Sequence, residues 1–233
     1  MVTAAETDNV DDVLSRADRA AGSIRRFLVA GELVPGQRLS EIAMSERLGV
    51  SRNTLRESFR MLTQERLLVR RPHAGVFVAE PTLASIIDIY RVRRIVECQA
   101  VAAAAPLHPA SRRMRAAHEA ALARRDAGDW IAVGTANMEF HAAIVAMADS
   151  NHLDRLYANI SAELRLAFGL LDDAEYLHGP YVDRNAAVLE TYSAGNSAGA
   201  ASLLEDYLVQ SERTVLAAYS RALAAARSPA IGG

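Results

Sequence analysis

The sequence predicts a mainly α-helical protein with an amino-terminal winged helix-turn-helix, including a short β-hairpin, and a carboxyl-terminal all-α helical bundle. Two short helical patterns meet at a very tight turn, two short β-prone runs follow, and no convincing strand appears in the remaining two thirds of the chain. We therefore expect disordered tails at 1–12 and 227–233, a winged module at 13–81 and a helical domain at 82–226.

The winged module is predicted to begin with a helix over residues 13–30. Apolar residues recur there at helical spacing, and Gly31 ends the pattern. Residues 32–39 contain the turn dipeptide Pro35-Gly36, so we expect a loop there.

Only a very short turn joins the next two predicted helices. Ser40 can cap the second helix, which ends at Gly49, and Ser51 can cap a third helix that runs to about Glu65. Only Val50 separates the glycine from the serine, so the two helices must cross steeply. This spacing is typical of a helix-turn-helix.

Two β-prone runs, 67–69 and 76–78, follow the third helix. Arg70, Arg71 and the turn formers around Pro72 lie between them. We expect a two-stranded hairpin with a basic, sharply turned tip.

The rest of the chain carries helical patterns separated by turn residues. Gly179-Pro180 is expected to separate the fourth from the fifth of these patterns. The predicted segments are 82–105, 110–127, 130–148, 151–171, 183–194 and 197–226. They predict an all-α bundle.

The formal charge of −2 hides an uneven distribution. All 26 basic residues are Arg, and residues 20–79 hold ten of them against five Glu, a local charge of +5. The remaining residues therefore carry −7. A basic block on an acidic body favours a nucleic-acid-binding module, although solvated helix faces would give the same balance.

Composition excludes several other classes of protein. The amino terminus is polar, and we find no run of about 18 strongly apolar residues, so no membrane is expected. The single cysteine, Cys98, excludes an internal disulfide and any zinc site built from cysteines, which is typical of the reducing cytoplasm.

The third helix carries two stripes. The basic stripe consists of Arg52, Arg56 and Arg60, with Asn53 beside it, and the apolar stripe of Leu55, Phe59 and Leu62. Arginine can contact guanine edges or phosphates, and asparagine can pair with adenine. The helix start near Ser51 also offers free backbone N–H groups to a phosphate. The alternative is a surface helix with solvated arginines.

Three segments, 31–40, 48–62 and 75–78, closely resemble the winged helix-turn-helix of GntR-type transcriptional regulators. This resemblance implies double-stranded DNA as the partner, with a wing tip that enters or edges the minor groove. With the residues singled out above, the predicted DNA contacts are Arg38, Ser51, Arg52, Asn53, Thr54, Arg56, Arg71, His73 and Gly75. Arg66 departs from the family pattern, which usually has glycine there, and we expect a small cost in stability.

Residues 87–97 and 139–144 resemble the all-helical FCD-type effector domain of the FadR-like subfamily. Many such domains hold a divalent metal with an Asp, a His four residues later and two further His. Here those positions are Asn137, His141, Asn185 and Tyr207, so only His141 is a strong ligand. We predict neither a metal nor a cofactor, and interpret His141 as a hydrogen-bonded pocket or core histidine.

The same resemblance implies a small organic effector. Arg93 aligns with an arginine that points into the bundle cavity, where it could hold a carboxylate, and Glu97 lies one turn on and could orient it. The alternative for Arg93 is an interhelical salt bridge. The predicted effector-binding residues are Arg93, Glu97, Asn137, His141, Asn185 and Tyr207. We assign no role to His178, and interpret Trp130 as packing.

Together these features predict a cytoplasmic, ligand-responsive transcription factor, most simply a repressor, that binds a near-palindromic operator as a homodimer. The effector is expected to be an organic acid. Two alternatives stay open: a metal-responsive regulator of the same family, and an α-helical metal-dependent enzyme. Against the enzyme, the sequence has no Gly-rich phosphate loop and no convincing catalytic set at motif spacing.

Overall fold

A computed structural model describes residues 15–171 and 173–227 of the chain. The predicted tails at 1–12 and, except for Arg227, at 227–233 lie outside these residues. The winged module comprises α1 (Arg16–Val29), β1 (Arg38–Leu39), α2 (Glu41–Leu48), α3 (Arg52–Gln64), β2 (Leu68–Arg71) and β3 (Gly75–Val78). The bundle comprises α4 (Leu83–Ala103), α5 (Ala110–Asp126), α6 (Trp130–Val145) with a 3₁₀ turn (Ala146–Ala148), α7 (Asn151–Phe168), α8 (Ala174–Ser193) and α9 (Ser197–Arg227). The predicted fold class is confirmed.

The first helix begins three residues later than predicted. Ser15 is its N-cap, and its hydroxyl accepts a hydrogen bond from the Asp18 amide while the Asp18 carboxylate accepts one from the Ser15 amide. This reciprocal capping box fixes the helix start more strongly than apolar spacing does. Residues 13 and 14 of the predicted helix lie outside the described residues.

The tight turn between α2 and α3 has the predicted geometry. Ser40 and Ser51 cap the two helices, and Gly49 adopts a left-handed conformation at φ 64°. The apolar stripe of α3 is fully buried, and all three arginines of the basic stripe are exposed. The two-stripe prediction is therefore confirmed.

The sheet has three strands rather than the predicted two, in the order β1-β3-β2, and both pairings are antiparallel. The extra strand lies in the segment predicted as a loop, where Arg38 pairs with Phe77 and Leu39 with Val76. Two residues are too few to show alternation in sequence. Strand β2 also extends through Arg71, so that the turn itself is shorter than expected.

Arg66, directly after α3, adopts a left-handed backbone with φ 62°. The Arg66 amide donates to the Thr63 carbonyl, and the Leu67 amide donates to the Leu62 carbonyl at 2.9 Å. These bonds close the helix end as a glycine usually does. Arg66 therefore adopts the left-handed backbone that glycine favours, as expected from its place in the family pattern.

Helix α8 begins at Ala174, nine residues before the predicted start, and Pro180 lies inside it. Asp173 caps the helix by accepting a hydrogen bond from the Tyr176 amide at 2.8 Å. Leu177 and Tyr181, on either side of the proline, are buried in the bundle core. This burial outweighs the hydrogen bond that proline cannot donate.

Helix α6 and its 3₁₀ turn form the most apolar segment described. Residues Trp130–Ala148 meet the length and hydropathy expected of a membrane span, with 56% of the stretch buried inside the fold. The helix packs against α4, α5, α7 and α8, which is the environment of a core helix.

The winged module and the bundle share a core through α7. Ala162 and Leu166 are buried among the apolar side chains of the winged module, including Ile24 and Leu28 of α1. Asn159 donates a 3.3 Å hydrogen bond to the Glu65 carbonyl at the end of α3. A shift of α7 therefore acts directly on the module that carries α3.

Candidate functional site

A groove of about 570 Å³ runs between the wing and the start of α3. The predicted contacts Arg38, Arg52 and Gly75 all line it, although they lie on β1, α3 and β3. The Arg38 side chain lies next to Gly75, since a Cβ at Gly75 would be in van der Waals contact with the Arg38 Nε at 3.5 Å. Folding thus brings two exposed arginines to a single concave surface.

Ser51 and Thr54 form the start of α3. The Ser51 hydroxyl accepts a 3.1 Å hydrogen bond from the Thr54 amide and lies 2.9 Å from the Thr54 Oγ1. The Ser51 side chain is therefore already engaged as a cap, while the other amides of the first turn still point outward. Asn53 is exposed on the same turn and, like Ser51 and Thr54, does not line the groove.

Arg56 is exposed but not free. Its Nε donates to a carboxylate oxygen of Glu41, at the start of α2, at 2.8 Å. This surface ion pair holds the guanidinium across the helix-turn-helix. A DNA phosphate or base edge would have to compete with Glu41 for the Arg56 guanidinium.

The wing tip carries the remaining predicted contacts. His73 has a left-handed backbone with φ 59°, and Gly75 has φ 108°. The Arg71 guanidinium lies 4.5 Å from the centre of the Phe77 ring, a cation–π contact that supports its position. Arg71 and His73 are exposed and lie outside the groove.

In the bundle, Glu97 is the centre of a buried polar network. Its Oε1 accepts from the Arg93 Nε at 2.6 Å and from the Tyr157 hydroxyl at 2.7 Å, and its Oε2 lies 2.7 Å from the His141 Nδ1. Arg93 and Glu97 are 4% and 0% exposed, one helical turn apart on α4. Glu97 thus pairs with Arg93 within α4, and through His141 and Tyr157 it also joins α4 to α6 and α7.

The charges of this network follow from competing effects. Burial alone would raise the pKa of Glu97, but Arg93 and His141 lower it to about 2. Burial lowers the pKa of His141, and this outweighs the opposite pull of Glu97. Neutral His141 therefore carries its proton on Nδ1, facing the carboxylate, and its Nε2 is an acceptor.

A second network joins Asn137, Asn185 and Tyr207. The Asn185 Nδ2 donates to the Asn137 Oδ1 at 2.6 Å, and the Tyr207 hydroxyl lies 3.1 Å from both polar atoms of the Asn137 side chain. The His141 Nε2 and the Asn185 Oδ1 are buried without a hydrogen-bond partner. Such atoms are uncommon in folded proteins and mark places where a further polar group can bind.

Four of the six predicted effector residues line one enclosed cavity: Arg93, Asn137, His141 and Tyr207. Glu97 and Asn185 lie outside its lining and hydrogen-bond to residues that form it. The cavity holds only about 10 Å³, which is room for about one water molecule. Sequence reasoning missed Tyr157, which also lines this cavity, because no motif surrounds it.

The donor set at the degenerate metal position does not fit a transition metal. The Asn137 Oδ1 is engaged by Asn185, the His141 Nδ1 by Glu97, and burial raises the pKa of Tyr207, which keeps the phenol protonated. Within the described residues, no three His, Cys, Asp or Glu side chains are grouped to hold a metal ion.

His178 and Trp130 both pack against apolar or aromatic side chains of the bundle. His178 is buried, and its ring meets the Phe168 ring edge-on at 5.0 Å. Trp130 packs on the small apolar cluster around Val133 and against Gly179, in agreement with its interpretation as packing.

Comparison with known proteins gives two family matches. Residues 16–78 match the family "Bacterial regulatory proteins, gntR family", and residues 88–210 match the FCD domain. The chain is 28% identical over 174 residues to a protein of Paenarthrobacter nicotinovorans named as a D-xylose utilization operon transcriptional repressor, an alignment that spans 70% of this chain and 77% of that protein.

Solved structures agree with these matches. A structure described as a transcriptional regulator GntR from Rhodococcus sp. RHA1 is 40% identical, with a TM-score of 0.81 over 88% of this chain and 100% of that one. McbR/YncC of E. coli shares the fold at 20% identity, with a TM-score of 0.75 over 89% of this chain and 100% of that one. The gntR family and the named relatives are those of transcriptional regulators, not of enzymes. The chain belongs to the GntR family of bacterial transcriptional regulators and carries an FCD domain.

Proposed function

We propose that the protein is a cytoplasmic repressor that binds a near-palindromic operator as a homodimer and releases it when a small organic acid binds in the helical domain. The observation that carries the DNA-binding part is the groove in which Arg38, Arg52 and Gly75 meet. Its two exposed guanidiniums lie beside the free amides of α3, so that phosphate and base contacts can form together.

Dimerisation is supported by exposed apolar side chains on the bundle. Ile95 on α4 is 72% exposed and Leu203 on α9 is 40% exposed, while α4 and α9 pack along each other. Two copies related by a twofold axis would present two α3 helices to two half-sites.

The effector part rests on the buried network. Arg93 supplies a cation that suits a carboxylate, and the unpartnered His141 Nε2 suits a hydroxyl donor, so a hydroxyl-bearing organic acid matches both. Because the cavity holds about one water molecule, such an effector must displace side chains when it binds. That displacement gives the effector a way to favour one arrangement of the helices over another.

Selection of genomic fragments by the purified chain, followed by sequencing, tests DNA recognition. We expect enrichment of a short inverted repeat, with two chains bound per duplex by light scattering. Enrichment of random fragments, or one chain per site, would contradict the proposal.

A thermal-shift screen with hydroxy acids and sugar acids tests the effector, since a ligand that binds only the folded state raises Tm. Asn185→Ala serves as the site variant, because it alters the network without touching the Arg93–Glu97 pair. A response that survives Asn185→Ala, and also Arg93→Ala, would place the effector elsewhere.

A further inference from the structure

A separate cleft of about 250 Å³ lies where the winged module meets the bundle. The loop after α1, the carboxyl end of α7 and the start of α8 form its walls. Its apolar lining includes Leu33, Val34, Pro35, Phe168, Leu171 and Leu177. Arg165 is the one fully charged side chain among the described residues that line it.

Arg165 is buried, at 7% exposure, and has no partner among the residues that the structure describes. Among the described residues, no carboxylate pairs with it, no atom accepts a hydrogen bond from it, and burial is the one effect that moves its pKa, downward. Arg93, the other buried arginine, donates from its Nε to Glu97 at 2.6 Å. A guanidinium stays charged in proteins, so the cation at Arg165 is largely buried with no acidic partner among the described residues.

The Arg165 guanidinium lies against Gly31. A Cβ at Gly31 would lie 2.9 Å from the Arg165 Nη2, and the Gly31 backbone has φ 76°. Glycine therefore allows both the left-handed turn after α1 and the approach of the guanidinium to that turn. The carboxyl end of α1 carries a partial negative charge, which stabilises a cation only weakly.

We propose that this cleft binds a small organic anion, with one carboxylate held by Arg165 and a compact apolar body packed against Pro35, Phe168 and Leu177. The volume lies below the ~300–1,000 Å³ typical of pockets for drug-sized ligands, so the anion is small. Arginine matches a carboxylate through two parallel N–H groups, which satisfies the charge and the donors together.

Such an anion would touch both halves of the protein. Ala162 and Leu166, which flank Arg165 on α7, lie in the core of the winged module. On the other side, Phe168, Leu177 and His178 line both this cleft and the cavity in the bundle. The cleft is thus placed to control how the winged module sits on α7, and it gives His178 a position between the two sites.

The test is a thermal-shift and calorimetric titration of the full chain with benzoate, hexanoate, benzamide and inorganic phosphate. We expect benzoate or hexanoate to raise Tm, and neutral benzamide to leave it unchanged. Arg165→Met keeps an apolar stem in place of the arginine and removes the charge, so it should weaken carboxylate binding roughly tenfold or more. Without ligand, Arg165→Met should melt no lower than the parent chain, because a desolvated charge is gone.

Three further variants make the outcome decisive. Ala174→Phe narrows the cleft but keeps Arg165, and it should also abolish the rise in Tm caused by the carboxylates. Arg91→Met removes an arginine from the exposed face of α4 and should leave that rise in Tm unchanged. Asn185→Ala should keep it as well, which separates this cleft from the proposed site inside the bundle. The proposal is wrong if neither carboxylate raises Tm, if the response survives Arg165→Met, or if phosphate stabilises as well as the carboxylates do.

Discussion

The side chains of Glu97 on α4 and His141 on α6 meet at the centre of the bundle, with 2.7 Å between the Glu97 Oε2 and the His141 Nδ1. The contact ties two helices together and fixes the His141 tautomer. Because Glu97 also pairs with Arg93, removing its charge would leave a buried cation without a counter-charge.

Glu97→Gln should therefore be strongly destabilising. The change leaves the Arg93 cation buried without a counter-charge, and we expect a loss of about 3–5 kcal/mol in the free energy of unfolding. Urea denaturation measures it. Glu212→Gln is the matched control, since Glu212 pairs with Arg94 nearer the surface and should cost about 1 kcal/mol or less. Equal losses in the two variants would show that burial of the Arg93 pair is energetically unimportant.

Acidification should destabilise the protein well before most carboxylates protonate. Burial, followed by the charge of Arg165, lowers the pKa of His178 from its ordinary value of 6.5 to about 4. The unfolded chain therefore binds this proton between pH 6.5 and about 4 while the folded chain resists it, so stability falls as the pH drops through that window. His141, whose pKa burial also lowers, acts in the same direction.

His178→Phe keeps a planar ring beside Gly134 and removes the titration. The plot of Tm against pH should be flatter for this variant than for the parent between pH 6.5 and about 4. His152→Phe, on the exposed start of α7, is the control for replacing a histidine by phenylalanine. Identical slopes for parent and His178→Phe would contradict this account of His178.

Arg66→Gly should stabilise the protein. A left-handed backbone costs an L-residue roughly 1–2 kcal/mol, which glycine avoids, and the greater freedom of glycine in the unfolded chain offsets part of this gain. We expect a net increase of about 0.5–1 kcal/mol in the free energy of unfolding. Arg70→Gly, inside strand β2, removes the same charge and should instead be destabilising. A loss of stability in Arg66→Gly would mean that the arginine side chain makes a compensating contact.

Arg56 and Glu41 should act on DNA binding in opposite directions. If Arg56 contacts the operator, Arg56→Ala should cost about 1–3 kcal/mol in affinity. Glu41→Gln frees the guanidinium from its ion pair and removes a negative charge near the DNA, so binding should tighten. Fluorescence anisotropy on the selected operator measures both. Weaker binding by Glu41→Gln would show that the ion pair positions Arg56 for contact.

The sequence predicted the winged module well where the signal was local. Ser51, Gly49 and the two stripes of α3 each depend on residues within one or two turns, and all are found as expected. Strand β1 was missed because its pairing with β3 joins distant residues, and Leu39 alone marks its buried face.

In the bundle, residues of the polar site were easier to predict than the side chains that contact them. The resemblance indicated Arg93 and Glu97, and the structure places both in one buried network. It gave no sign of Tyr157, nor of the unpaired Arg165, because both depend on how α7 packs rather than on any motif. The start of α8 was misjudged because Gly179-Pro180 is a turn signal that the burial of Leu177 and Tyr181 overrides.

The most direct test of DNA recognition is the salt dependence of binding to the selected operator by the full chain. We predict that the logarithm of the binding constant falls linearly with the logarithm of salt concentration, and that the double variant Arg52→Ala, Arg56→Ala loses roughly tenfold or more on the operator but far less on random DNA. Operator binding that is insensitive to salt and unchanged in the double variant would contradict the assignment of α3 and its groove as the DNA-reading surface.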